Sequence, residues 1–163
     1  MNPSSDISHN AAVFDRPTWT PLLELSTREV FEIMLGTRLD VLQRAGENHG
    51  EFTALVGLAG SLCGVLSIRC DRESARLMAG KMLGMPSEEV NSDTWDALGE
   101  IANMIAGNFK GKLSGVGNHC MLSVPTLIFG SSYESRSIMA THVIELAFGF
   151  EQKPLCIRLE MHD

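Results

Sequence analysis

Two apolar runs between Glu51 and Cys70, EFTALVGLAG and SLCGVLSIRC, meet at Gly60-Ser61 and read as a β-hairpin. Three more β-like runs fill the C-terminal part: HCMLSVPTLIFG, SIMATHVIELAFGF and KPLCIRLEMH. The last alternates, with Leu155, Ile157, Leu159 and Met161 on one face and Cys156, Arg158, Glu160 and His162 on the other. Pro125 interrupts the first of the three and marks an edge or a bend. Consecutive strands joined by short turns favour antiparallel pairing, and parallel α/β architectures drop out.

Helical segments accompany the strands. Val30, Phe31, Met34, Leu35, Leu39 and Leu42 recur at spacings of three and four, which predicts a helix over 25–45. Ser26 or Thr27 would cap it, and Gly46 would stop it. Asp71 caps a second helix that ends at Gly84 ahead of Pro86. The longest expected helix runs from about 93 to 113. The order is then helix, strand, strand, helix, helix and three strands. This is an α+β fold: an antiparallel sheet with long helices packed on one face. A helix leading into a hairpin occurs twice, so an internal duplication of helix 25–45 with strands 52–70 and helix 93–113 with strands 119–161 is expected. Residues 1–20 read as a flexible tail from which Phe14 and Trp19 reach the body, and 21–163 as one domain.

Composition excludes several functions. Thirteen Lys and Arg stand against 20 Asp and Glu, a net charge of −7. The lysines at 81, 110, 112 and 153 are scattered, and a phosphate-backbone ligand needs clustered cations. The longest apolar stretch, Thr53 to Ile68, is broken by Gly57, Gly60, Ser61 and Gly64, so no membrane span is expected. The N-terminal residues lack a basic and an apolar region, so no secretory signal is expected either. Cys63, Cys70, Cys120 and Cys156 form no CxxC and read as buried reduced thiols of a cytoplasmic protein. His119, Cys120, His142 and Cys156 lack the short ligand spacings of a metal site, and none is expected. Gly-Lys near Gly115 lacks the rest of a phosphate loop. His49 and His162 read as solvent-exposed. Met78, Met82, Met85, Met104 and Met121 read as core filler.

The chemistry concentrates in DTWDALGEIANMIAGNFKGKL. At 100° per residue, Asp96, Glu100, Asn103, Gly107 and Lys110 share one narrow arc, while Leu98, Ile101, Ala102, Ile105 and Phe109 take the opposite one. Gly99 and Gly107 each cost about 1 kcal/mol relative to Ala in a helix, which calls for a reason such as close approach of another backbone. Asn103 is a poor mid-helix choice, because its amide competes for backbone groups. An acid and an amide one turn apart can reach together into a partner's cleft.

Asp96-x-x-x-Glu100-x-x-Asn103 followed by Pro125 resembles the signature of the CheC/CheX/FliY phosphatases of bacterial chemotaxis. Twenty-one residues separate Asn103 from Pro125, one short of the family's usual spacing. The flanking text, DALGEIANMIAGNFKGKL and LSVPTLIFG, resembles CheX-type domains in particular, over about residues 25–161. The resemblance implies a protein that removes the phosphoryl group from the aspartate of a CheY-like response regulator. Asn103 would orient the attacking water and Glu100 would pair with the regulator's lysine. Asp96, Gly99, Gly107 and Lys110 would border the partner. The Mg²⁺ would belong to the regulator, with no cofactor on this chain, and the chain would pair as a homodimer through sheet edges. The alternative is a non-catalytic binding module for a receiver domain or a flagellar switch component. Laying REVFEIML on DALGEIAN sets Leu35 against Asn103, so only one site is expected.

Overall fold

A computed structural model describes residues 13–43, 50–92, 95–130, 133 and 138–162. Helix α1 (Arg16–Leu35) starts within the stretch expected as a tail. Pro17 sits in its first turn, where a missing N–H forfeits nothing. Phe14 packs edge-on against Trp19 at 5.1 Å and stacks on His142 at 4.3 Å. Residues 1–12 lie outside the described residues.

The expected caps of this helix are in its interior. Ser26 and Thr27 are buried, and their hydroxyls donate to the carbonyls of Leu22 and Leu23 at 2.7 and 2.9 Å. Such back-bonding satisfies a buried hydroxyl without breaking the helix. The helix also stops earlier than its apolar spacing implied. Gly36 adopts a left-handed conformation (φ 60°), and the N–H groups of Gly36 and Thr37 bond to the carbonyls of Glu32 and Phe31. Leu39 and Leu42 therefore leave the helix. Leu39 enters the core, and Leu42 ends a short strand, β1 (Asp40–Leu42), that the periodicity did not indicate. Gly46 and His49 lie outside the described residues.

The two hairpins form where expected. Strands β2 (Phe52–Gly60) and β3 (Cys63–Cys70) pair antiparallel from Phe52↔Cys70 to Leu58↔Gly64. Helix α2 (Arg72–Leu83) follows, with Asp71 accepting from the Ser74 N–H at 2.7 Å and Gly84 ending it at φ 67°. Burial pulls the Asp71 carboxyl up, but the Ser74 bonds and the Lys153 ammonium outweigh it and leave it below its ordinary range. Helix α3 (Asp96–Lys112) is slightly shorter than α1, so it is not the longest. It leads through a single 3-10 turn at Gly117–His119 into β4 (Cys120–Leu122) and β5 (Thr126–Phe129). Strands β6 (His142–Phe150) and β7 (Lys153–His162) close a tight hairpin at Glu151-Gln152, both at positive φ.

All seven strands form one antiparallel sheet in the order β1-β6-β7-β3-β2-β4, with β5 also on β2. The order helix, short edge strands, hairpin occurs twice, and each edge element pairs with the other set's hairpin: β1 with β6, and β4 and β5 with β2. Leu155, Ile157, Leu159 and Met161 of β7 face a core shared with Phe31, Ile101, Ile105 and Phe109. On the other face Arg158 pairs with Glu160 and Glu145 at 2.8 and 3.6 Å. His162 is half-buried, not exposed. No helix of the described residues is long and apolar enough to cross a membrane.

The thiols divide. Cys70, Cys120 and Cys156 are buried, but Cys63 is exposed, against the expectation that all four lie inside. Burial pushes the three buried thiols up, Cys156 to about 11. At pH 8 an aromatic disulfide reagent should therefore titrate one thiol per native chain and four after denaturation. A native count of zero or four would contradict this packing.

Candidate functional site

Helix α3 is placed by its apolar arc. Leu98, Ile101, Ala102, Ile105 and Phe109 are all buried, as their spacing requires. Asp96 lies in the first turn and Lys110 and Lys112 in the last, which suits the helix dipole at both ends. The helix packs beside α1, where Trp19 and Phe109 meet edge-on at 6.1 Å. Lys112 pairs with Glu29 at 2.7 Å, and the Asn108 amide donates to the same carboxylate at 2.8 Å. Those two hydrogen bonds, Lys112 first, hold the Glu29 carboxyl below its ordinary range.

With the apolar arc seated, the opposite arc must face outward. Asp96 and Glu100 are exposed and Asn103 is half-buried. Three residues of helix separate Glu100 from Asn103, a rise of about 4.5 Å, so carboxylate and amide project side by side. Among the described residues no hydrogen bond or ion pair engages either side chain. Asn108, the other asparagine of this helix, is by contrast committed to α1. Lys110 donates to the Cys120 carbonyl at 2.6 Å and ties the end of α3 to β4.

The two glycines differ. Gly99 is buried, and a Cβ built on it would lie 3.0 Å from the Pro125 Cβ. Pro125 thus presses against the helix one residue before Glu100. The close approach comes from a proline ring, not from another backbone, and a Cβ here would press on it more tightly than an ordinary contact. Gly107 is half-buried, and its Cβ would make only ordinary contact with Leu122 at 3.9 Å. Among the described residues nothing requires glycine there.

Pro125 is held in turn by the sheet edge. Leu58 pairs with Leu122 and Leu55 with Thr126, so two residues of β2 face three of the edge, Ser123, Val124 and Pro125. That is a β-bulge, a device that re-aims side chains at sheet edges. Ser123 fastens it: its N–H donates to the Gly57 carbonyl at 2.9 Å, and its hydroxyl oxygen accepts from the Gly57 N–H at 2.8 Å. The spacing of 21 residues therefore still brings Pro125 onto the helix. Strand-like residues around a proline carried that signal, but the extra residue of the bulge was not readable from alternation. Met121, expected in the core, is exposed on this edge.

The first helix offers no counterpart. Leu35, aligned with Asn103, is buried in the core, and Glu32, aligned with Glu100, pairs with Arg38 at 3.5 Å. A cleft of about 430 Å³ lies at the β1 edge, lined by Thr37, Arg38, Asp40 and Lys153 among others. Asp96 and Glu100 stand exposed on α3, where a group carried on another protein could meet them. Among the described residues no group of three or more His, Cys, Asp or Glu side chains is arranged to hold a metal ion.

Comparison with known proteins agrees with this geometry. Residues 52–149 match the family described as chemotaxis phosphatase CheX. The CheY-P phosphatase CheX of Thermotoga maritima is 29% identical over 84 residues, covering 51% of this chain and 54% of that protein. The chain thus aligns with about half the length of that relative. Among solved structures, CheX of Vibrio vulnificus shares the fold with a TM-score of 0.78 at 22% identity, over 92% of this chain and 100% of its own. CheX of Borrelia burgdorferi, solved with CheY, BeF3 and Mg²⁺, gives 0.73 at 21% identity, over 89% and 98%. The family match takes in β2, β3, the whole of α3 and the bulge with Pro125. This chain belongs to the CheX chemotaxis phosphatase family.

Proposed function

We propose that this chain dephosphorylates the aspartyl phosphate of a CheY-like response regulator. The observation that carries the reading is the pair Glu100 and Asn103, one turn apart on a convex ridge, while Asn108, Lys110 and Lys112 of the same helix are all engaged. Family membership and the CheY-bound relative support it.

The reaction places few demands on the protein. Water attacks phosphorus in line, the bond from phosphorus to the aspartate oxygen breaks, and inorganic phosphate and a free carboxylate leave. Phosphoryl transfer needs mainly positioning and charge neutralisation. The Asn103 amide offers one acceptor and two donors, enough to hold a water on the line of attack without titrating. Glu100 pairs with the regulator's lysine and fixes the register of the helix on the partner. Asp96 orients the helix end. Gly107 borders the partner, and Gly99 acts indirectly by admitting Pro125. Mg²⁺ resides on the regulator and neutralises the phosphoryl oxygens there. A cytoplasmic setting follows from such a partner.

A homodimer through a sheet edge belongs to the same reading. The β1 edge is the candidate, since Asp40, Val41 and Leu42 are all exposed. Sedimentation equilibrium should give a dimer at micromolar concentration, and a monomer would remove this part of the proposal.

The catalytic assignment is tested by single-turnover dephosphorylation of a phosphorylated CheY. Asn103→Ala should lower the rate at saturation by about 10²-fold, the usual loss of a group that acts on the reacting centre. Glu100→Ala should mainly raise KM, by about tenfold or more, as expected for loss of an interfacial charge pair. Equal rates for wild type and Asn103→Ala would overturn the assignment. Binding without any acceleration by wild type would leave the non-catalytic module.

A further inference from the structure

The edge that carries the bulge runs alongside α3 for the length of the helix. Lys110 reaches Cys120, Gly107 lies next to Leu122, Gly99 lies under Pro125, and Trp95 meets Phe129 edge-on at 5.2 Å. Beside the exposed Ser123 and Thr126, that edge presents two exposed apolar side chains near the helix, Val124 at 85% and Phe129 at 53%. A polar ridge and an apolar rim thus lie side by side.

Two features say what the rim is for. First, Val124 is held and not merely left out. It sits at the crest of the bulge between Ser123, which exchanges hydrogen bonds with Gly57, and Pro125, which abuts Gly99. A β-branched side chain on a backbone held at both sides gives up little entropy on contact, which is what an interface anchor requires. Second, the backbone here is a poor template for another strand. Pro125 has no N–H, and the bulge breaks the ladder between β4 and β5, the ways in which natural edges avoid pairing with another copy. The side chains, not the strand edge, are what this rim presents.

We infer that Val124, with Phe129 farther along the same edge, is the apolar anchor by which the partner receiver seats beside Glu100 and Asn103. This rests on the proposed reading of the ridge. It also meets a need of that reading. The chain carries a net charge of −7 and a phosphorylated receiver site is acidic, so long-range charge opposes the encounter. Apolar contact next to the ridge supplies affinity that charge does not.

The experiment measures association of full-length protein with a CheY carrying beryllofluoride and Mg²⁺, together with dephosphorylation of the phosphorylated form. Val124→Asp should weaken association at least tenfold and raise KM in step, with the rate at saturation falling less than threefold. Val124→Ser should fall between, and Val124→Leu should bind like wild type. Asn103→Ala should show the opposite split, association retained and rate lost. Wild-type association and KM in Val124→Asp would overturn the inference. So would unchanged association with an altered sedimentation coefficient, which would give the rim to a second copy of this chain. If wild type binds but does not hydrolyse, the catalytic reading falls, and association of the Val124 variants alone decides the anchor. If wild type binds no phosphorylated receiver, both fall.

Discussion

The seating of α3 on the sheet determines what this protein shows to its surroundings. Leu98, Ile101, Ile105 and Phe109 are almost wholly removed from water. Each such side chain stabilises the folded state by about 1.5–3 kcal/mol. Rotation of the helix would expose that whole arc, so its angular setting is fixed to within a few tens of degrees. Everything on the opposite arc follows from that constraint. Glu100 and Asn103 face outward because the residues between and around them cannot. The Gly99–Pro125 contact sets the second coordinate, the distance between helix and sheet edge. A larger residue at 99 would push the bulge away and change how ridge and rim meet.

Local patterns made much of this legible. Both hairpins, the Asp71 cap, the Gly84 stop and the two arcs of α3 were readable because each rests on a short-range rule: alternation, a capping hydroxyl or carboxylate, a left-handed glycine, a 3.6-residue period. What failed had two sources: local signals that competed with the apolar spacing, and contacts distant in sequence. Apolar spacing carried the first helix through Leu39 and Leu42, yet the left-handed turn at Gly36 ended it, and those leucines serve the core and the sheet instead. Ser26 and Thr27 looked like caps because a buried hydroxyl bonded to its own helix has no distinct sequence mark. Cys63 falls on the outward phase of a cleanly alternating strand, with Val65, Ser67 and Arg69, and the bulge on the facing edge adds one residue that no periodicity reveals.

The candidate site was readable to a different degree in each of its parts. The carboxylate and amide were visible as an acid and an awkward asparagine on one face of a helix. Lys110 shares that face, and its bond to the Cys120 carbonyl was not readable from the projection. The role of Gly99 needed Pro125 as its partner, 26 positions along the chain. The site's proposed chemistry is contributed to a reaction centre on another protein. A convex helix can do this only if the partner docks in one register, which is where the fixed bulge beside the ridge acquires its meaning.

The central claim is that this helix enters the phosphorylated face of a receiver with Asn103 at the reacting group. A crystal structure of the chain with a CheY carrying beryllofluoride and Mg²⁺ tests it most directly. The account predicts the Asn103 amide within hydrogen-bond reach, about 3 Å, of a water in line with the beryllium–aspartate bond. It also predicts Glu100 on the receiver's lysine and Val124 buried at the edge of the contact. A complex in which the receiver docks on another face, or in which Asn103 is more than a water's breadth from the in-line position, would contradict it.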